Sequence, residues 1–274
     1  NVLKEVNASA VIFDSRKDLN GLSSTAIESA ANEASSRGLN GKYVIALKNT
    51  SGQPSLSSLT NRSSREKIHK ASLSRGSRGG EFDNREILVN IIKLRSEKAR
   101  LMGYNNHAAY TLETQTAQNP QNVNKRLSSL SPKALANAKK EASDLQKMIE
   151  SEGSSFELES WDWDFYTEKV RAERYNFDAN QLKPFFEMNN VLQNGVFFAA
   201  TKLFGITFKE RFDLPTYHED IRVFEVFNEN GTVLGLFLFD GYARPTKRGG
   251  AWMNAYVSQS KLKNNLPIVA NHQN

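Results

Sequence analysis

Cysteine is absent from the 274-residue sequence, which excludes disulfide bonds and thiolate metal sites within it. No apolar run approaches the roughly 20 residues that a membrane-spanning helix needs, so we expect no membrane partner. A secretory leader is also missing, and the first residue is Asn1 rather than methionine. We therefore expect a piece of a longer polypeptide, for which a missing leader says little about location. The absence of cysteine fits a reducing compartment, so we expect the cytoplasm, with the periplasm as an open alternative because the true N-terminus is absent.

Histidine is scarce too, with four in the chain, and none of them stands in an H-E-x-x-H zinc helix. His218 has acidic neighbours, but one histidine without a second is more typical of a surface or capping residue. Asp162 and Asp164 are only two residues apart, a spacing that favours a helix start over an acid/base pair. The residues by themselves therefore predict no catalytic group and no metal ligand.

The charge of the chain is positive, with a net charge of +6 and a pI near 9.3. The densest basic group, residues 64–80, contains no aromatic side chain, whereas nucleic-acid surfaces interleave aromatic and basic residues. We expect a solvated basic surface and no nucleic-acid partner. A helical domain that binds RNA or another anion is the weaker alternative.

Apolar periodicity divides the chain into two regions. Residues 1–220 are mostly helical by pattern, with a short β-like segment near 42–47, and residues 221–274 alternate apolar and polar side chains. Asn230-Gly231 is a strong hairpin signal inside this second region. The sequence thus predicts a mainly α fold with a small antiparallel sheet near the C-terminal end.

Several helix boundaries follow from capping patterns. Asp83 with Glu86 predicts the start of a long helix, and Pro120 and Pro132 each follow a capping residue, which predicts two further helices. A later helix, residues 190–204, is apolar around much of its circumference, so we expect protein on several of its sides.

Small residues mark one stretch of the C-terminal region. Gly249, Gly250 and Ala251 precede Trp252, in a predicted strand at 249–253. An edge strand with small side chains can bind an extended peptide through main-chain hydrogen bonds. A plain hairpin with glycines at a bulge is the alternative.

The motifs "RGSRGGEFDNREI", "LMGYNNHAAYTLETQTAQNPQNV", "HEDIRVFEV" and "DGYARPTKRGGAWM" occur in the order found in one family. The sequence resembles the zinc metallopeptidases of the oligopeptidase A, thimet oligopeptidase and neurolysin type, and among them the dipeptidyl carboxypeptidases (peptidyl-dipeptidases). The resemblance implies a large helical, channel-containing zincin-type peptidase. It also implies a zinc ion in the intact parent enzyme, held by H-E-x-x-H and a downstream glutamate.

This sequence contains no H-E-x-x-H, so the resemblance implies a central fragment that binds no zinc itself and is inactive alone. Residues 221–274 would line the substrate channel. The implied substrate-binding residues are Gly249, Gly250, Ala251, Tyr242 and Arg244, and Lys247 would border the channel.

The resemblance implies a parent hydrolase that releases dipeptides from the C-terminus of short peptides. An oligopeptidase that cuts internally is the alternative within the class, and a non-catalytic peptide-binding or scaffold module is the alternative outside it. Whether this chain is itself an enzyme is left open. The expected partners are short peptides, together with the missing N- and C-terminal peptidase segments or a second copy of the chain.

Overall fold

A computed structural model describes residue 4 and residues 8–47, 53–176, 179–244, 246–247 and 249–273. By compactness the chain forms two units, residues 1–176 and residues 177–274. The sequence-based division at residue 220 follows the change from helix to strand, whereas compactness groups the helical residues 179–204 with the sheet. None of the described helices is both long and apolar enough to cross a bilayer.

The first unit is mainly helical. Its described α-helices are α1 (Ser24–Ser36), α2 (Arg62–Leu73), α3 (Arg85–Leu101), α4 (His107–Leu112), α5 (Pro120–Ser151) and α6 (Trp163–Tyr175). The predicted β-like segment forms β2 (Tyr43–Ile45), which pairs antiparallel with β1 (Val11–Phe13). Its partner β1 was not foreseen, since three residues are too few to show an alternating pattern.

The prediction of two helices starting at Pro120 and Pro132 is wrong, because α5 runs through Pro132 without a break. Proline lacks an N–H group, so the carbonyl of Ser128, four residues earlier, loses its intrahelical donor. The side chains around this point, such as Leu130 and Leu135, are exposed, so water can satisfy that carbonyl.

The start of α3 also differs in detail from the predicted cap. The helix begins at Arg85, after Asn84, and the Asp83 carboxylate accepts the backbone N–H groups of Arg85 at 3.0 Å and of Gly79 at 2.8 Å. Asp83 therefore stabilises both the helix start and the preceding loop.

Asp162 was expected at a helix start, and it does stand directly before α6, but its side chain makes no capping hydrogen bond. The fully buried carboxylate instead accepts hydrogen bonds from Arg62 at 2.8 Å and from Arg65 at 2.7 Å. These ion pairs join α2 to the start of α6 within the first unit.

The second unit contains a 3₁₀ segment (Ala179–Phe186), the helices α7 (Met188–Asn190) and α8 (Phe198–Phe204), and a π-helical stretch between them (Val191–Phe197). Its strands are β3 (Thr207–Glu210), β4 (Arg222–Phe227), β5 (Val233–Asp240), β6 (Trp252–Val257) and β7 (Ile268–His272). β4 and β5 form the predicted hairpin, and Gly231 has a φ of +79° in its turn.

The strand order in this sheet is β3-β4-β5-β7-β6. β7 inserts between β5 and β6, pairing parallel with β5 and antiparallel with β6. The larger sheet is therefore mixed, while the purely antiparallel sheet is the small β1–β2 pair. β6 lies at one edge of the larger sheet, as the sequence predicted for this stretch.

The core of the second unit lies between the helical layer and the sheet. Leu192 and Phe197 are buried against Phe224 and Phe239, and the Phe197 ring stacks on Phe208 with centroids 3.9 Å apart. This packing fixes the orientation of β5, whose last residue begins the candidate site.

Candidate functional site

The candidate site lies where β5 and β7 end. These strands are parallel, so their carboxyl ends meet at one edge of the sheet, the position where sheets with parallel strands commonly bind ligands. In the sheet register Asp240 stands opposite His272, and His272 stands opposite Trp252 at the start of β6. Three strands thus place an acid, an imidazole and an indole in one row.

Asp240 is the centre of this row, and its side chain is fully buried. Its carboxylate accepts two hydrogen bonds of 2.7 Å from the Arg244 guanidinium and one of 2.9 Å from Lys247 Nζ. The Tyr217 hydroxyl donates to the same carboxylate at 3.1 Å, and His272 Nδ1 lies 3.2 Å from it. A buried carboxylate needs such partners to offset its lost hydration.

These contacts also fix the protonation of the cluster. Hydrogen bonds, first from Arg244 and then from Lys247, hold the pKa of Asp240 well below its usual range, although burial opposes them. Burial, followed by hydrogen bonds to Tyr256 and Asp240, raises the pKa of the Tyr217 phenol. At neutral pH Asp240 is therefore a carboxylate and Tyr217 is a protonated donor.

Lys247 stabilises the connection between β5 and β6 through hydrogen bonds. Its side chain is only 3% exposed, and its ammonium donates to the carbonyl oxygens of Asp240 at 2.7 Å and Tyr242 at 2.8 Å. With the bond to the Asp240 carboxylate, all three ammonium N–H groups are used. The ammonium thus holds the chain that leaves β5 against the end of that strand.

Aromatic rings form the other wall of the site. The Trp252 ring stacks on His272, with centroids 5.0 Å apart and planes at 20°, and the Tyr256 hydroxyl lies 3.4 Å from His272 Nε2. If Nδ1 carries the proton that Asp240 accepts, Nε2 is left to accept from Tyr256.

β6 carries no charged side chain, and its residues 253–256 are exposed. Met253 is 64% exposed and Tyr256 is 52% exposed, and the pairing of β6 with β7 shifts register between Ala255 and Val257. The opposite edge of the sheet, β3, carries Lys209 and Glu210, the kind of charged residues that prevent pairing at an edge. β6 lacks this protection.

A pocket of about 350 Å³ opens beside β6, within the second unit. It is lined by Tyr217, Asp240, Arg244, Thr246, Lys247, Trp252, Asn254, Tyr256 and His272. The wall from β6 consists of alternate residues of the strand, so one face of β6 looks onto the pocket.

The predicted site residues fall in three places. Gly249, Gly250 and Ala251 precede β6 instead of lying in it, so the predicted strand start at 249 is wrong. Gly250 has a φ of +103°, which no strand residue adopts. Arg244 lines the pocket, whereas the half-exposed Tyr242 side chain does not.

Asp240, Tyr217, Tyr256 and His272 were missed as site residues. The one available signal was Asp240, a charged residue that ends an apolar run of alternating pattern where a buried side chain is expected. The partnership of Asp240 with His272 depends on the insertion of β7, which no local pattern shows.

The described residues contain no candidate metal-binding cluster. No group of three or more histidine or acidic side chains in this part of the chain could hold a metal ion. His218 interacts locally, with Nδ1 3.5 Å from the Asp220 carboxylate. The described residues therefore do not fit a zinc site.

Comparison with known proteins gives the family. The model of peptidase family M3 matches residues 55–274. Dipeptidyl carboxypeptidase of Salmonella typhimurium is 40% identical over 270 residues, which cover 98% of this chain and 40% of that protein. Dipeptidyl carboxypeptidase of Escherichia coli is 40% identical over 253 residues, or 92% of this chain and 37% of that protein.

A second group of relatives is more distant. Oligopeptidase A of Escherichia coli is 34% identical over 265 residues, which cover 95% of this chain and 39% of that protein. The chain thus spans about two fifths of the length of the curated relatives it matches. From the family match and these identities, the chain belongs to peptidase family M3.

Proposed function

We propose that this chain is part of a zinc metallopeptidase that releases dipeptides from the C-terminus of short peptides, and that it contributes scaffold and a substrate-binding strand. The similarity to two dipeptidyl carboxypeptidases at 40% identity supports this activity. Internal cleavage of oligopeptides is the second candidate, favoured by the 34% identity to oligopeptidase A. The predicted cytoplasmic location stays a prediction.

The observation that carries the proposal is the edge strand β6. It is uncharged, exposed on both faces and unpaired on the side away from β7 within the described residues. Such an edge presents backbone N–H and C=O groups to which an extended peptide can add as a further strand. Folded proteins rarely leave an edge like this bare unless something pairs with it.

The residues just before β6 extend the same surface. Gly249, Gly250 and Ala251 have small or absent side chains, so a peptide backbone can approach their main chain closely. Arg244 borders this path from the pocket, and Tyr242 is exposed on the same connection. We assign these five residues to substrate binding.

Zinc belongs to this proposal as the cofactor of the longer enzyme, since no group of three or more histidine or acidic side chains among the described residues could hold a metal ion. The purified chain with added zinc should therefore leave a blocked tripeptide intact. Zinc-dependent turnover that copurifies with the chain and is lost on chelation would contradict this part of the proposal.

Exposed apolar residues support the proposed protein partners. Ile92 and Leu94 on α3 are 58% and 64% exposed, and Leu203 on α8 is 75% exposed. Large apolar patches rarely stay in contact with water. We propose that the remaining segments of the peptidase cover these surfaces, and that copies of the isolated chain associate through them.

Hydrogen exchange of the β6 amides tests the peptide-binding role. An acetylated pentapeptide amide should slow exchange at those β6 amides that face away from β7, because main-chain hydrogen bonds protect them. The control is the same peptide with alternate N-methyl groups, which removes its donors and should remove the protection. Unchanged exchange with the first peptide would refute strand addition at β6.

A further inference from the structure

Four asparagine–glycine dipeptides occur in the sequence, and all eight residues are exposed to water: Asn20-Gly21, Asn40-Gly41, Asn194-Gly195 and Asn230-Gly231. Asparagine is chemically labile. It reacts most readily before glycine, because a residue without a side chain lets its backbone nitrogen approach the asparagine side-chain carbon. The reaction still requires a glycine N–H that can be deprotonated and a backbone that can turn, so the fold decides which dipeptide reacts.

Two of the dipeptides have their glycine nitrogen engaged by the fold. In the hairpin turn, the Gly231 N–H donates to the carbonyl oxygen of Asn228 at 2.9 Å. Asn194-Gly195 lies inside the π-helical stretch Val191–Phe197, where backbone N–H groups donate to carbonyls five residues earlier. A hydrogen bond must break before either nitrogen can attack, which slows the reaction.

The other two dipeptides lie in matched turns. Each follows a leucine, and the residue after each glycine donates its N–H to that leucine at 3.1 Å, Leu22 to Leu19 and Lys42 to Leu39. Both glycines have a positive φ, +95° at Gly21 and +80° at Gly41. The two turns therefore share their local geometry, and a difference in reactivity must come from what surrounds them.

The surroundings hold the first turn more firmly than the second. The carbonyl oxygen of Asn20 accepts hydrogen bonds from the Thr60 N–H at 2.9 Å and the Thr60 hydroxyl at 3.1 Å. A Cβ added to Gly21 would lie 2.0 Å from the carbonyl oxygen of Ser58. At Asn40-Gly41, no described residue forms a hydrogen bond with the joining peptide group or the asparagine side chain, and a Cβ on the glycine would meet nothing within 4 Å.

We infer that Asn40 is a site of spontaneous deamidation, with Gly41 as the attacking residue and water as the co-reactant. The Gly41 nitrogen gives its proton to a base in the solvent and bonds to Cγ of Asn40. The Cγ–Nδ2 bond breaks, and the nitrogen takes up a proton and leaves as ammonia. Water then opens the five-membered imide at either carbonyl carbon, which gives aspartate or isoaspartate without any oxidation or reduction.

The modification changes the turn that enters β2. Aspartate at position 40 adds a negative charge two residues before Lys42, whose ammonium pairs with Asp14 at 2.9 Å. Isoaspartate instead routes the main chain through its side chain, which lengthens the turn by one carbon and disturbs the hydrogen bond from Lys42 to Leu39 that closes it. The pairing of β1 with β2 starts directly after this turn.

Peptide mapping by mass spectrometry tests the inference on the folded 274-residue chain, incubated in mildly alkaline buffer. Asn40 should convert at least about fivefold faster than each of Asn20, Asn194 and Asn230, because a hydrogen bond or close contact that must first be broken slows a reaction by about this factor. In concentrated urea the four rates should converge, since the dipeptides are identical once the fold is lost.

Asn40→Gln and the matched control Asn20→Gln give a second measurement, the ammonia released by the folded chain. Glutamine would have to form a six-membered ring and reacts far more slowly. Asn40→Gln should therefore remove most of the release, whereas Asn20→Gln should leave it nearly unchanged. Equal conversion at Asn20 and Asn40 in the folded chain, or an Asn40 rate far below its rate in urea, would overturn the inference.

Discussion

Replacing Asp240 with asparagine tests whether the buried carboxylate holds the site together. The substitution keeps the size of the side chain and removes the only acidic group in contact with Arg244 and Lys247 among the residues described. Lys247 is 3% exposed and cannot reach water, while Arg244 is 15% exposed and can regain some hydration. Removing one partner of a buried ion pair costs about 3–5 kcal/mol. Since Arg244 can relax and Lys247 keeps two carbonyl acceptors, we expect about 3 kcal/mol.

Urea unfolding, followed by circular dichroism, measures this cost. Asp213→Asn is the matched control, because the Asp213 side chain is 65% exposed and its contact with Arg211 lies at the surface. A pair of that kind contributes about 0–1 kcal/mol. If Asp240→Asn and Asp213→Asn lower the free energy of unfolding by similar amounts, the buried Asp240 carboxylate does not hold the site together.

Further predictions concern pH, backbone strain and association. Folding lowers the pKa of Asp240, so the ionised carboxylate stabilises the folded protein fully above its unfolded pKa of about 4. This stabilisation is lost as the pH falls below that value, so the wild type should lose more stability in acid than Asp240→Asn. Gly250→Ala should cost about 1–3 kcal/mol of stability in thermal melts, because the φ of +103° is strained for alanine. A Cβ added there would meet no other part of the protein within 4 Å, so the strain alone sets the cost, and an unchanged midpoint would contradict it. Ile92→Lys with Leu94→Lys should reduce self-association in sedimentation across a dilution series, and an unchanged distribution would place the contact elsewhere.

Local patterns predicted the parts of the fold that depend on neighbouring residues. The hairpin of β4 and β5 forms at Asn230-Gly231, because this dipeptide tolerates the backbone angles of a tight turn. The length of α5 was underestimated because a proline inside a helix looks locally like a helix start. Ser131 and Pro132 match the pattern of a helix start, but both residues lie inside α5.

The sheet order depended on pairings that no local pattern contains. The sequence predicted strands within residues 221–274, but β7 pairs with β5 some thirty residues earlier and lies between β5 and β6, which follow each other in the chain. The site depends on the same pairing, since it brings His272 to Asp240. The sequence could therefore indicate the edge strand and Arg244, which we propose for peptide binding, but not the buried cluster around Asp240.

The most direct test of the account is to locate a bound peptide on the sheet by nuclear Overhauser effects between peptide and protein protons. The larger sheet has two open edges among the described residues, β6 and β3, so the measurement shows which edge strand the peptide pairs with. We predict contacts between the peptide backbone and residues of β6, including Met253 and Ala255. Contacts confined to β3, or to side chains with none to the backbone of β6, would contradict the proposal that β6 is the substrate-binding strand.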